Sequence, residues 1–439
     1  MIEILQGVIQ FFILFILFLF PITPQINNIF LKKYNFEIFD IICINLVLNL
    51  NCYLIISAFK IDLNILFAIN FILAIAFLFF HFKKNIIFLK KTEFKVIFLF
   101  FIVNISLFFN SMNDLSLMWD GLDQWIYKAS AFFQGLGFVN TGNTSYPHLG
   151  GFVWGYFWKN SIVQKEYVGR LTFIFFYVSS LFYLINLFKK SNLDIYKLIF
   201  VIVILALTYD KKLFGGYQDY LIFSLLIIIS KLLYLIINND GKKTFLETIF
   251  FLSAYILCWI KQEGFVYFIM TVFLLILFEK EKSKKIFFFF TFFTLTCIYF
   301  FLKKFFNTEL SFDQKLNFNF LLTTNFSLLI QILKTITFNL IIAIFKYPIW
   351  IIILISIILS LTDKKNHYQF RYFYIFLIIN IFFVYSLMIY TCLNPEANCE
   401  LVSKVSLDRI IFQMSGFYLV FIIIFLANKK IININKKNV

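Results

Sequence analysis

Two carboxylates stand three residues apart in Met118-Trp119-Asp120-Gly121-Leu122-Asp123-Gln124-Trp125-Ile126-Tyr127-Lys128-Ala129. On a helix that spacing puts Asp120 and Asp123 on one face. A pair so placed can take the proton of an attacking hydroxyl or hold a metal ion; the alternative is an ordinary polar loop with Asp at helix ends. Tyr146-Pro147-His148 follows in the same polar stretch, where His148 is a candidate ligand or acid.

Three more polar clusters interrupt apolar sequence, where uncompensated charge is costly. Asp210-Lys211-Lys212-Leu213-Phe214-Gly215-Gly216-Tyr217-Gln218-Asp219 offers two cations, a glycine pair and a carboxylate. Lys261-Gln262-Glu263-Gly264 reads as a tight turn between apolar runs, and Ser406-Leu407-Asp408-Arg409 opens the last run. Apart from Arg409 the chain holds only Arg170 and Arg371, and otherwise uses Lys. A guanidinium grips phosphate through two parallel hydrogen bonds, which an ammonium cannot. Lys261, Arg409, Lys211, Lys212 and Lys128 are therefore the expected phosphate-binding set, with Tyr146, His148, Asp219 and Glu263 contacting the rest of a substrate. Taken singly, each cation also fits a side chain reaching from a helix end to water. No Walker A, Rossmann, GxSxG or HExxH motif is present, which argues against nucleotide hydrolysis within the chain. No metal site is predicted, and a divalent-cation requirement is left open.

The elements that position these residues follow from composition. The chain has 439 residues, 62% hydrophobic, 22% aromatic and 14% charged. A soluble domain is about half apolar and about a quarter charged, so the surplus must face lipid. The 67 Phe accompany inflated Ile, Asn and Lys, a bias that a lipid-facing surface tolerates. A formal charge of +16 does not point to nucleic acid, because no soluble domain carries a binding face. Lys pairs such as Lys32-Lys33, Lys189-Lys190, Lys242-Lys243, Lys364-Lys365 and Lys429-Lys430 fall in short connectors and mark cytoplasmic helix ends.

Apolar runs near 20 residues long predict an all-α, polytopic transmembrane helix bundle of about 13 spans with an external loop subdomain. Residues 1–111 hold the N-terminal spans, and 112–166 an external loop with the candidate catalytic Asp. Residues 167–302 hold the central spans, 303–346 an external excursion with an interfacial helix, and 347–439 the C-terminal spans and basic cytoplasmic tail. The first run lacks a small-residue cleavage site and is expected to stay as a helix. Trp119 and Trp125 are expected to anchor the 112–166 loop at the membrane interface. Of the six Cys, Cys392 and Cys399 bracket a polar hexapeptide placed outside, where an oxidising compartment permits a loop-closing disulfide.

In this order the clusters resemble bacterial GT-C glycosyltransferases of the family 39 type, multi-span relatives of protein O-mannosyltransferases and lipid A aminoarabinose transferases. Trp119-Asp120 with Trp125 and Lys128-Ala129 is similar to that family's first external loop, and Tyr146-Pro147 to the Tyr-Pro that follows it. Gly216-Tyr217-Gln218-Asp219 is similar to its Gly-Tyr-Ala-Asp, Lys261-Gln262-Glu263-Gly264 to its Lys-Asn-Glu-Gly, and Asp408-Arg409 to an Asp-Arg near the last helix. The resemblance spans most of the chain. It implies transfer of a sugar from a polyprenyl-phosphate-linked donor to a lipid, glycan or protein acceptor at the outer face of a bacterial cytoplasmic membrane, with Asp120 as base. Two features depart from the family: about three spans precede the loop instead of one, and a second carboxylate next to Asp120 is missing, for which Asp123 would substitute. An O-antigen-type polymerase or ligase shares the spans and the lipid donor but typically relies on paired external Arg residues. A transporter would place ionisable groups near the midplane of repeated halves, and the sequence shows neither.

Overall fold

The computed structural model describes residues 2–19, 36–59, 61–83, 91–137, 146–161, 164–188, 194–210, 214–238, 243–305, 325–362, 367–393 and 398–429. Runs this apolar can leave no backbone polar group unpaired in lipid, and a helix satisfies them all within one segment. Among the described residues the chain forms sixteen α-helices and one π-helical turn. They are α1 (Ile2–Leu19), α2 (Ile38–Ser57), α3 (Leu63–Lys83), α4 (Lys91–Met112), the π turn (Gly121–Trp125), α5 (Ile126–Phe133), α6 (Leu149–Lys159) and α7 (Glu166–Ile185). Next come α8 (Asp194–Thr208), α9 (Asp219–Asn238), α10 (Thr244–Ile260), α11 (Gln262–Phe278) and α12 (Lys282–Phe305). The last are α13 (Phe326–Lys346), α14 (Ile349–Leu361), α15 (His367–Cys392) and α16 (Cys399–Asn428). Eight helices are long and apolar enough to cross a membrane by length and composition, and six more are apolar but shorter. The chain is built as a multi-pass membrane protein.

Burial sorts the long helices into two classes. The apolar windows of α7, α9 and α16 are 100%, 94% and 89% buried, so these three form the centre. Those of α12, α13 and α15 are 11%, 22% and 22% buried and present apolar side chains outward, among them Phe287, Phe290, Phe301, Phe338 and Phe382. The Phe surplus thus serves core and lipid face alike. At the centre, Gly416 lets α16 approach α9 closely: a Cβ there would lie 2.5 Å from the Phe223 carbonyl oxygen. Phe223 stacks on Phe412 at 4.8 Å, and Ser230 Oγ donates to the Phe417 carbonyl at 2.8 Å.

The expected excursion at 303–346 is helical at both ends. Residues 306–324 lie outside the described part; α12 runs on to Phe305, and α13 is long enough to span. Asn339 donates to Ser403 Oγ at 2.6 Å, and Lys346 meets Asp408 at 2.6 Å. Trp350 Nε1 then donates to the Ile411 carbonyl at 2.8 Å. Helices α13 and α14 therefore run alongside α16 in its own direction, α13 beside its first turns and α14 beside the later ones. Pro348 caps α14 and breaks the rod, since proline has no N–H to offer the preceding turn.

Cys392 and Cys399 are disulfide-bonded, joining the end of α15 to the start of α16, as the sequence suggests. Contrary to the sequence reading, a charge pair is buried within the bundle. Lys231 Nζ lies 2.8 Å from Asp40 Oδ1 and donates to the Tyr183 carbonyl at 2.7 Å, while Asn186 donates to Asp40 Oδ2 at 3.1 Å. A single Lys in one apolar run and a single Asp opening another give no sign, in one dimension, that they meet.

Candidate functional site

The last helix supplies the organising cation. Arg409 Nε donates to Asp219 Oδ2 at 3.2 Å and its Nη1 to Asp120 Oδ2. Its guanidinium lies 4.3 Å from the centre of the Tyr217 ring. Lys261 Nζ approaches Asp219 Oδ1 to 2.9 Å and Glu263 to 3.7 Å. One turn after Arg409, Gln413 also donates to Asp219 Oδ1. Five residues singled out in the sequence, Asp120, Asp219, Lys261, Glu263 and Arg409, thus meet at one end of the bundle from segments 289 residues apart at the widest.

The two aspartates differ in access. The Asp219 side chain is 0% exposed and that of Asp120 30%. An isolated carboxylate in such a place as that of Asp219 would cost several kcal/mol, and two cations with an amide donor make it tenable. Asp219 is an anchor. Asp120 shares the same arginine through Oδ2 while part of its side chain stays open to an incoming group.

Local backbone explains the motifs. Lys261 ends α10 and starts α11 in extended geometry, with φ −148° and ψ 162°, so one residue joins two antiparallel helices. Gly264 follows because a Cβ there would overlap the Leu257 carbonyl. Asp120 is held by contact between two glycine segments: Met118 N–H donates to the Gly215 carbonyl at 2.8 Å, and a Cβ on Gly121 would overlap that carbonyl oxygen. Gly216 adopts φ +96°, a left-handed conformation that a Cβ disfavours. Gly121→Ala is therefore expected to lower any reaction depending on Asp120 at least about tenfold, since reacting groups tolerate misplacement of only about 1 Å. The overlap with a backbone carbonyl is also expected to cost about 1–3 kcal/mol and lower the thermal midpoint; unchanged activity in the folded variant would show that the glycine contact does not place Asp120.

The carboxylate pair is not arranged as its spacing suggests. Residues 121–125 form a π turn in which the Ile126 N–H reaches back to the Gly121 carbonyl. The extra residue in that turn separates positions three apart, so Asp120 turns to Arg409 while Asp123 is exposed and accepts from Gln124 at 2.6 Å. Such turns are frequent at functional sites. Trp125 is another correction: it is buried, edge-on to Tyr146 with ring centres 6.4 Å apart, instead of anchoring an interface. Trp119, by contrast, is 75% exposed.

The remaining candidates divide. Tyr146 stays with the cluster; burial, then the charges of Asp120 and Glu263, push its phenol pKa up. Lys128 is turned inward and donates to the Tyr146 carbonyl at 3.0 Å. His148 is buried, 2.7 Å from Ser57 Oγ and edge-on to Trp259, so burial and then Lys128 and Lys303 hold it neutral, well below its ordinary pKa. It is not placed as a surface ligand. Lys211 and Lys212 lie outside the described residues. Asp408 points away from its neighbour Arg409 into a second cluster with Lys346, which also lies 3.3 Å from Asp210. Arg170 is occupied structurally, bonding Glu166 at 2.8 Å and the Leu115 carbonyl at 2.9 Å. Among the described residues no three His, Cys, Asp or Glu side chains converge as metal ligands.

Sequence reasoning missed Gln413, Tyr217 and Lys346 as members of these clusters. Gln413 carried a signal: it is four residues after Arg409, one helical turn, inside an apolar run. No family model, curated protein or solved structure matches the chain.

Proposed function

We propose that the chain is an integral membrane glycosyltransferase that moves a sugar from a polyprenyl-phosphate donor to a lipid, glycan or protein acceptor. The observation that carries this reading is the pairing of the accessible Asp120 with Arg409 beside the wholly buried Asp219–Lys261 pair. Asp120 accepts the proton of the acceptor hydroxyl, and that oxygen attacks the anomeric carbon. The sugar–phosphate bond breaks with its electron pair going to the lipid phosphate, and the single displacement inverts the carbon. Positioned cations favour the charge that develops on the leaving phosphate more than the ground state. The bundle is GT-C-like in this reading, with about 13 spans and the site facing outward from a bacterial cytoplasmic membrane; the Cys392–Cys399 disulfide supports an oxidising exterior.

The test is direct. Purified protein in nanodiscs, given a sugar-labelled polyprenyl phosphate and envelope lipids, glycans or peptides, is expected to release polyprenyl phosphate and label an acceptor. One sugar per acceptor supports the reading, and chain extension supports an O-antigen-type polymerase or ligase. The buried Asp40–Lys231 pair favours a third reading, a lipid or solute transporter, because intramembrane charges often mark transport paths. Saturable movement across proteoliposomes without any covalent product would establish it over the transferase.

A further inference from the structure

We propose that the outward face of α13 docks an acidic phospholipid, with the lipid phosphate on Lys334 and an acyl chain in the groove beside it. The proposal goes beyond the transferase reading and does not depend on it.

Helix α13 has two faces. Its buried residues Ile332, Ile336, Asn339 and Ala343 recur at helical spacing and make one stripe, and Asn339 joins that stripe to Ser403 of α16 at 2.6 Å. Ile330, Leu333, Lys334, Thr337, Phe338 and Ile341 line a groove of about 410 Å³. At about 100° per residue these six centre on the side opposite the stripe, away from α16.

The helix carries only two charged residues, and their surroundings differ. Lys346, at its end, meets Asp408 at 2.6 Å and Asp210 at 3.3 Å. Lys334 lines the groove, exposed, with no hydrogen bond or ion pair among the described residues. Thr337 is not a second donor there: its hydroxyl is taken up by the Leu333 carbonyl at 2.7 Å and by Tyr385 of α15 at 2.9 Å. The groove therefore offers one positive charge framed by apolar side chains.

An occupant must match both features. The groove has the size of a small-ligand site, and an apolar lining on a helix whose window is only 22% buried belongs against lipid tails. A cation placed among tails attracts a headgroup of net negative charge, whereas a zwitterionic headgroup brings its own cation. Register excludes the reacting donor. Lys334 precedes Lys346 by about 18 Å along the helix, and it is Lys346 that reaches Asp408, the neighbour of Arg409. Reacting atoms must approach to about 3–3.5 Å, so a phosphate on Lys334 belongs to a resident lipid and not to the sugar donor. Because α13 is bonded to both α15 and α16, a lipid seated there braces all three helices.

Full-length protein in detergent, titrated with lipid and followed by native mass spectrometry and by its thermal midpoint, provides the test. Phosphatidylglycerol is expected to bind about fivefold more tightly than phosphatidylcholine with the same acyl chains, the factor that about 1 kcal/mol per lysine at an acidic membrane surface gives. It should also raise the midpoint, since a ligand of the folded state stabilises that state. Lys334→Met should erase the preference and Lys334→Arg should keep it. Lys304→Met, which removes an exposed lysine outside the groove, should leave it unchanged. Ile341→Trp, which fills the groove and leaves the charge in place, should weaken phosphatidylglycerol at least about threefold. Equal binding of the two lipids by wild type, an undiminished preference in Lys334→Met, or wild-type affinity in Ile341→Trp overturns the proposal. Displacement of phosphatidylglycerol by an equimolar amount of undecaprenyl phosphate would assign the groove to an isoprenyl lipid and overturn the phospholipid.

Discussion

Asp120→Asn is expected to abolish sugar transfer, lowering the rate by about 10²- to 10⁴-fold, the usual contribution of a positioned base. The amide keeps the size of the side chain and can still accept from Arg409, so the bundle should insert and purify as wild type does. What it removes is the ability to take a proton. Asp123→Asn is the matched control: Asp123 is exposed and bonds only its neighbour Gln124, so its loss should cost less than about twofold. Turnover of a labelled donor by the two variants decides the assignment. Full activity in Asp120→Asn removes it as base, and a large loss in Asp123→Asn with little in Asp120→Asn transfers the role to Asp123.

The second large effect concerns stability. Asp219→Ala leaves Lys261 and Arg409 in a buried place without their shared carboxylate, and removing one member of a buried ion pair costs about 3–5 kcal/mol. The variant should express poorly or lose much of its thermal midpoint in detergent. Lys346→Met breaks an ion pair whose lysine is 38% exposed, and is expected to cost about 1 kcal/mol or less. The double variant Asp219→Asn/Lys261→Met should recover part of the loss suffered by Asp219→Asn alone, because the orphaned ammonium is gone. No recovery would mean that the pair does not act as a unit.

Much of this organisation was legible in one dimension, for a physical reason. Charge inside apolar sequence is expensive, so Asp219, Lys261 and Arg409 stood out as residues that had to find partners. Helix existence was equally plain from apolar run length. Geometry that depends on turn type was not. Spacing placed Asp120 and Asp123 on one face; the π turn separates them, and no residue in Gly121–Trp125 announces an extra residue per turn. The pairing of Asp40 with Lys231 across 191 residues was likewise hidden, since each sits alone in its run.

The one-residue joint at Lys261 has a consequence for how the protein can work. Because the side chain that neutralises Asp219 grows from the hinge point itself, there is no slack between α10 and α11 to absorb a change of length. An inserted residue there would rotate α11 by about 100° about its own axis, a full helical step. The hairpin is therefore a fixed post, and the position of the Asp219 carboxylate depends on its length staying as it is.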